Sequence, residues 1–388
     1  MKAFIHRSAR WIPEGAYRRA LKTEAEVVEG GLSELLWDLA LYRYAMQRVV
    51  DALWDLDRIP KKSQAHQLLY YILRSYGFRA HVARNIYNYA LALVKAVKEN
   101  GGSKPTLRKL SARLDYYDAR VELDKSIVRV IIRDKWYTLR LKHREEYIER
   151  FKSLRWKEVH VKYEDKKLYV SIVFEAMYKP YAPRGVIALD VNLKTITTYN
   201  GSEIRRFKTR FVDALSKRKH AEELQDKYPK RWRYNERVLS RIRFLYRRAR
   251  NIVVDCCWKI AKQIVLYAKR RQYAIALEDL NGLKESLNSK SDRVVWKLTM
   301  FAYRRFQHSI ISKALEHDAP VIIVDPRSTS STCPRCGEKL AYTHRLGVCK
   351  KCGFKADRDS VGAVNTWLRA LYAMRGARVS SESPRGEG

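Results

Sequence analysis

Apolar positions along this chain change their period several times, and each change marks a candidate element. From Ser33, a residue suited to capping a helix, Leu36, Leu39, Tyr42, Met46, Val49, Leu53 and Leu56 recur at the spacing of one helical face. A second helical segment spans 63–75, and a third carries Ile86, Tyr89, Leu93 and Val97. Asn100-Gly101-Gly102-Ser103 and Pro105 close this stretch, so the pattern predicts a helical bundle over about residues 31–100. Residues 1–30 are mixed and basic, with a short strand expected at Lys2 to Ile5.

Period two takes over near Leu107. Ile127, Arg129 and Ile131 alternate with Val128, Val130 and Ile132, and 136–141 is extended in character. Val159, Val161 and Tyr163 match Leu168, Val170, Ile172 and Phe174 across the turn Glu164-Asp165-Lys166. Short antiparallel strands of this kind predict a small β-barrel, with one helix between them over 143–154. Lys179-Pro180-Tyr181-Ala182-Pro183 is a stiff linker and the clearest domain boundary.

Beyond the linker, Gly185 to Asp190 is an apolar strand that ends in an acid, with 194–199 as its hairpin partner. A long helical stretch follows over 208–271, where Val238, Ile242, Leu245, Ala249, Ile252, Cys256, Ile260 and Ile264 trace one stripe and make Cys256 a buried thiol. On another face Arg233, Arg237 and Arg241 stand one turn apart, a row that serves phosphate contact or plain solvation equally well. The strand from Tyr273 delivers a second acid, Glu278; a helix over 294–316 leads to the strand Val321 to Val324, and a last helix spans 359–374. The tail from Gly376, GARVSSESPRGEG, is polar and expected to be disordered.

Charge narrows the classes of partner. In 388 residues, 79 Lys and Arg stand against 42 Asp and Glu, a formal charge of +37. Such an excess repels itself unless a polyanion neutralises it, and nucleic acid is the polyanion it fits. Tyr70, Tyr71, Arg74, Tyr76, Arg79, Arg84 and Tyr87 in the bundle are suited to stacking on and clamping nucleic acid, or equally to core and solvated faces. No apolar run approaches the roughly 18 residues of a membrane span, and the N-terminus carries charge where a signal peptide needs apolar residues, so an intracellular protein is expected.

Cysteines point to a metal rather than to disulfides. Cys333 and Cys336 are followed after twelve residues by Cys349 and Cys352, and Gly337 and Gly353 stand directly after the pairs. Two residues between thiols let a tight turn aim both sulfurs at one ion, and four thiolates complete a tetrahedron, so a closed structural Zn²⁺ site is expected. His344, between the pairs, is then a hairpin residue facing solvent.

Three acids occupy equivalent kinds of position: Asp190 and Glu278 at strand ends and Asp359 at a helix start. Adjacent strands would bring them together, and carboxylates crowded in a dry pocket need cations, which two Mg²⁺ ions would supply. Strand, strand and helix carrying Asp, Glu and Asp is the pattern of the RNase H-like nucleases. Asp357 rivals Asp359 for the third place.

With these elements in hand, the chain resembles the TnpB (OrfB) family of transposon-encoded nucleases, relatives of type V CRISPR effectors. IALDVNLKTITTYNG resembles the family's first RuvC motif, IALEDLNG its second and DRDSVGAVN its third, while DPRSTSSTCPRCG through CKKCGF resembles its zinc ribbon. The resemblance is firm over 182 to about 372 and holds only in layout over 1–180. It places the catalytic, Mg²⁺-holding acids (Mn²⁺ being the alternative ion) at Asp190, Glu278 and Asp359, preferring Asp359 to Asp357 for its spacing to Asn365. Val361 and Gly362 depart from the family's Asn and Ala, which should change helix packing more than chemistry.

The implied architecture is a multidomain α+β protein. Residues 1–30 and 103–180 would form a wedge β-barrel with a helical recognition lobe, 31–102, inserted in it. A RuvC (RNase H-like) α/β domain would follow over 182–329, with a helical hairpin at 208–271, then a zinc ribbon at 330–355, the last RuvC segment at 356–375 and the tail 376–388. The implied activity is guided cleavage of double-stranded target DNA by two-metal-ion phosphodiester hydrolysis. Its partner is a noncoding guide RNA from the transposon end, and its setting is the prokaryotic cytoplasm, without membrane. Rival readings are a nuclease-inactive guided binder, which the presence of all three acids disfavours, a compact type V effector, and a zinc-ribbon DNA-binding protein without catalysis.

Overall fold

A computed structural model describes residues 9–279 and 293–381, which fold into two compact units. One is Ala16–Met177; the other comprises the described residues of Met1–Gly15 and Tyr178–Gly388. The strand expected at Lys2 to Ile5 lies outside the described residues. Among the described residues no helix is long and apolar enough to cross a membrane.

In the first unit, a seven-stranded sheet runs antiparallel from Leu110–Asp115 through Arg155–Glu164 to Lys167–Tyr178, and again from Gly15–Glu29 through Trp136–Lys142 and Ile127–Ile131 to Ala119–Glu122. Its two outermost strands, Leu110–Asp115 and Ala119–Glu122, are consecutive in the chain and separated only by residues 116–118. So short a link requires the sheet to curl until its edges approach, the half-barrel form of the barrel read from the alternation. Val128, Val130, Leu139, Leu141, Val159 and Val161 point inward while Arg129 and Arg140 stay exposed.

The helices Leu32–Trp54, Lys62–Ser75 and Ala80–Glu99 are inserted between the strands Gly15–Glu29 and Leu110–Asp115, and they share one core with the sheet through Leu35, Leu39, Tyr42, Val82 and Ile86. Ser33 is not the cap of the first helix: Gly31 holds that position at φ 83°, and the Ser33 hydroxyl donates to Glu34 Oε2 at 3.2 Å. Of the aromatic and basic candidates here, Tyr87 is buried, Arg79 pairs with the buried Asp118 at 2.9 Å, and Tyr71 stays 75% exposed.

The second unit is built on a six-stranded sheet. Gly185–Val191, Tyr273–Glu278 and Val321–Val324 lie parallel with Tyr273–Glu278 in the middle; Thr195–Tyr199 and Ile204–Lys208 continue antiparallel on one side, and Arg10–Trp11 pairs antiparallel with Val321–Val324 on the other. Arg10 and Trp11 therefore belong to this sheet and not to the first part of the barrel, because Ile322 and Ile323 offer them an open strand edge.

Sheets covered on both faces read as continuous apolar runs, and VIAL and AIAL obey this. Ile187, Leu189, Ile275 and Leu277 pack against the helices Phe211–Lys227, Glu236–Arg271 and Arg293–Glu316. Val186, Ala188, Ala274 and Ala276 pack on the opposite face, beneath Arg358–Ser381.

The single helical stretch expected over 208–271 is two helices joined by a 3₁₀ turn, Arg231–Arg233, with Asn235 capping the second by accepting from Val238 N at 3.1 Å. Arg233 consequently lies in that turn, and only Arg237 and Arg241 share the helix, so the row of three is broken by the cap. The last helix runs to Ser381, past Gly376 where disorder was expected; residues 382–388 lie outside the described ones.

A mostly buried acid in the first unit sets a pH dependence. Glu158 meets His160 Nε2 at 3.5 Å, Arg113 at 3.0 Å and the Tyr89 hydroxyl at 2.9 Å, and these partners, His160 foremost, hold its carboxyl at about 2 against burial. A depressed folded-state pKa stabilises above the unfolded value and is lost as pH falls through the folded one. Glu158→Gln is expected to lower stability near neutrality and to flatten the fall between the ordinary 4.5 and about 2; a stability profile of unchanged shape in that window would refute the coupling.

Candidate active site

Pairing between the strands Gly185–Val191 and Tyr273–Glu278 puts Ile275 beside Ile187 and Ala276 beside Ala188. Carried two residues further, this parallel register sets Glu278 level with Asp190. Side chains alternate between faces along a strand, so both acids continue the face of Ala188 and Ala276, the one covered by the helix Arg358–Ser381. The small alanines let that helix sit close. At Gly362 a Cβ would stand 3.0 Å from Asp190 Cγ, so the glycine that departs from the family's alanine lies directly on the first acid.

The third acid comes from the first turn of the same helix, where negative charge suits the N-terminal end of the dipole. Asp359 is 7% exposed, and Thr195 Oγ1 of the neighbouring strand donates to its Oδ2 at 3.5 Å. Asn192 Nδ2 donates to Asp190 Oδ2 at 2.6 Å, and Thr366 Oγ1 donates to Glu278 Oε1 at 3.4 Å. Asp357 is otherwise occupied: its Oδ1 accepts from the backbone N–H groups of Asp359 and Ser360 at 3.1 and 3.2 Å, and Arg206 Nη2 reaches its Oδ2 at 2.5 Å. Burial raises its pKa, but the Ser360 hydroxyl, which also donates to Oδ2, together with the donors above outweighs burial and holds the carboxyl below the usual range.

Electrostatics tie the three acids together. Burial pushes Asp190 up to about 8, and the charges of Glu278 and Asp359 add to the push. Burial raises Glu278 as well. Tyr303, from the helix Arg293–Glu316, lines one cavity with Glu278, and its phenol is raised by burial and then by the charges of all three carboxylates. Asp359 also pairs with Arg345, a largely exposed guanidinium on the hairpin next to the thiol cluster.

The hydrogen-bond partners of the Asp190 and Glu278 carboxylates among the described residues are neutral, while Asp359 has Arg345 and the charges of Arg358 and Arg369 act on Asp190 and Glu278 from farther off, so three carboxylates share few close cations. Such a donor set fits a hard divalent ion. The oxygens are spread wider than one tight cage: the four thiols are the group of His, Cys, Asp or Glu whose ligand atoms all fall within 4.8 Å of one another among the described residues.

Those four thiols form the second centre. Cys333 Sγ lies 3.6 Å from Cys352 Sγ and Cys336 Sγ 3.4 Å from Cys349 Sγ, all unbonded. Each pair folds the same way: Gly337 N–H donates to Cys333 O at 2.9 Å and Gly353 N–H to Cys349 O at 3.0 Å, with φ 84° and 70° at the two glycines. Left-handed backbone of that kind favours glycine and turns the chain clear of the sulfurs. Four converging sulfurs could hold a metal ion. His344 sits exposed at the tip of the hairpin between Ala341–Thr343 and Leu346–Val348, away from a ligand role.

Arg237 and Arg241 are exposed on their helix and Arg233 on its turn. Sequence reasoning passed over Asn192, Thr195, Tyr303, Arg345 and Thr366. Asn192 was the one within reach, two residues after Asp190 at a strand end; the others meet the acids only through folding.

A family model described as Cas12f1-like, TNB domain, matches residues 303–366, the span from Tyr303 through the thiol cluster to Thr366. The TnpB-like protein MJ0751 of Methanocaldococcus jannaschii is 27% identical over 236 residues, 59% of this chain and 84% of that one. This chain belongs to the TnpB family, which is related to the type V effectors. The TnpB-family chain is also 27% identical over 164 residues to the CRISPR-associated endodeoxyribonuclease Cas12f1 of Syntrophomonas palmitatica, 40% of this chain and 31% of that protein. It shares the fold of the protein in the cryo-EM structure of the Cas12f1–sgRNA–target DNA complex, with a TM-score of 0.52 at 11% identity over 91% of this chain and 98% of the other.

A thiol cluster that binds metal is part of the folded state. Purified TnpB-family chain is expected to carry one transition-metal ion at the cluster, and Cys333→Ser to lose it together with a large part of the stability, on the order of 10 kcal/mol for a structural site. Metal analysis and thermal melting check this; an unchanged melting temperature with no metal in the wild type would refute it.

Proposed function

We propose that this chain is an RNA-guided DNA endonuclease with a RuvC-type site, in which Asp190, Glu278 and Asp359 are the catalytic acids. What supports the reading is that Asp190 and Glu278 stand level on two adjacent parallel strands, that Asp359 opens the helix covering the same face, and that the charges of Glu278 and Asp359 both act on Asp190. The family kinship and the endodeoxyribonuclease relative support it. The acids would hold Mg²⁺, or Mn²⁺ in its place, and Cys333, Cys336, Cys349 and Cys352 would hold a structural Zn²⁺. When bound, the divalent ions would supply a water acidified for attack on a phosphodiester and charge stabilisation for the leaving 3′-oxygen.

The protein's own part is positional and electrostatic. Asn192, Thr195 and Thr366 orient the three carboxylates, the helix over Ala188 and Ala276 excludes water from beneath them, and Tyr303 walls the pocket from the other side. The partners follow from charge and kinship together. A surplus of +37 suits a channel that grips the phosphates of a guide RNA paired with target double-stranded DNA, leaving sequence choice to base pairing. The setting of such a reaction is the prokaryotic cytoplasm.

Asp190→Ala is expected to abolish cleavage of a guide-matched duplex, by at least about a thousandfold for loss of a metal-holding acid, while RNA binding stays at the wild-type level. Full cleavage by that variant would remove Asp190 from the chemistry. Sequencing the RNA that copurifies with the chain tests the guide itself. A transposon-end transcript is expected; a repeat-array transcript would make the chain a compact CRISPR effector, and the absence of any defined RNA would leave a zinc-ribbon DNA-binding protein.

A further inference from the structure

Glu278 is the least supported of the three acids by its own strand. It is the last residue of Tyr273–Glu278, and its backbone is pinned on both sides: Asp279 N–H donates to Val324 O at 2.7 Å and Gln307 Nε2 donates to Glu278 O at 3.3 Å. Its carboxylate, three rotatable bonds further out, has no comparable hold from the strand. Two hydroxyls meet it instead. Thr366, fully buried in the last helix, donates to Oε1 at 3.4 Å. Thr329 is the other: its buried side chain lowers the pKa of the Glu278 carboxyl against burial, while its one hydroxyl proton goes to Pro326 O at 2.9 Å.

These two threonines are fastened to each other. Asn365, next to Thr366 on the helix, donates through Nδ2 to Thr329 O at 2.7 Å and to Thr332 O at 2.8 Å. Thr329 and Thr332 belong to the strap that runs from the strand Val321–Val324 into Cys333. One helix turn thus holds the acid directly through Thr366 and indirectly through the strap that carries Thr329.

We propose that Thr366 and Thr329 are positioning residues that clamp the Glu278 carboxylate for divalent-ion binding, with Asn365 fastening the clamp to the strap before the thiol cluster. The clamp rests on the reading of Asp190, Glu278 and Asp359 as the metal-holding acids. Its chemistry is simple. An unsupported glutamate side chain must surrender rotamer freedom on binding an ion, and a hydroxyl that already restrains it removes part of that cost. Valine matches threonine in shape but cannot donate, so Thr366→Val deletes the hold while keeping the packing.

The test measures Mn²⁺ affinity by electron paramagnetic resonance on the full, zinc-loaded chain, alongside guided cleavage, for wild type, Thr366→Val, Thr366→Ser, Thr329→Val and Asp190→Ala. Thr366→Val is expected to weaken Mn²⁺ binding about tenfold and to slow cleavage in step, as expected for a supporting residue outside the ligand set, with Thr366→Ser restoring both. Thr329→Val is expected to act in the same direction, and it decides the matter if Thr366→Val melts far below wild type. Wild-type Mn²⁺ affinity and cleavage in folded Thr366→Val and Thr329→Val would overturn the clamp, even where Asp190→Ala is dead. Undiminished Mn²⁺ binding and cleavage by Asp190→Ala would overturn the acid site itself and the clamp with it.

Discussion

The close approach of the helix Arg358–Ser381 to one face of the six-stranded sheet is the contact on which the candidate site depends. It is made possible by small residues: Ala188, Ala274 and Ala276 on the strands and Gly362 on the helix, where no Cβ stands between backbone and Asp190. Further along, Trp367 Nε1 donates to Val186 O at 3.1 Å and anchors the helix to the same strand that ends in Asp190. Because the helix is seated by its middle, its first turn is fixed at the strand ends, and Asp359 arrives where Asp190 and Glu278 already stand. Packing of small residues here is therefore a statement about charge separation as much as about stability.

Two strand ends of the same sheet show how differently the fold treats buried acids. Asp325, just past Val321–Val324, receives Arg327 Nε at 3.0 and 2.8 Å on its two oxygens, and that guanidinium holds its carboxyl at about 2. Arg369 adds a hydrogen bond to Arg327 O at 2.8 Å, so this corner is closed by cations. Asp190, two strands away, has Asn192 as its hydrogen-bond partner and is pushed up to about 8, first by burial and then by the charges of Glu278 and Asp359, against the smaller pull of Asn192 and Arg358. The first corner is closed by a direct guanidinium pair, whereas Asp190 has no arginine in hydrogen-bond contact among the described residues and carries the perturbed pKa that clusters of buried acids produce.

The thiol cluster and the acids are also one piece of structure rather than two. The strap between Val321–Val324 and Cys333 touches Glu278 through Thr329, the hairpin after Cys336 sends Arg345 to Asp359, and Val361 of the helix packs into the small core around Cys333, Cys349 and Leu340. Metal at the cluster would stiffen a segment that borders both ends of the acid group.

Sequence alone determined the parts. The unbroken apolar runs VIALD and AIALE marked strands with an acid at the end, the paired CxxC turns marked the cluster, and helical spacing found the bundle and the long stripe through Cys256, because these signals rest on neighbours within a turn or a pleat. Boundaries went astray where a distant partner decided them: Arg10 and Trp11 left the expected barrel for a strand edge more than 300 residues away in the chain, and Arg233 fell out of its row because Asn235 started the helix after it. The choice between Asp357 and Asp359 rested in the sequence on spacing; the fold separates them by making one a cap. What only tertiary structure decided is which neutral side chains hold the acids. Thr195 and Thr366 donate to Asp359 and Glu278, and Thr329 and Tyr303 are coupled electrostatically to the group; the four come from separate segments, and no period within any one of them records this.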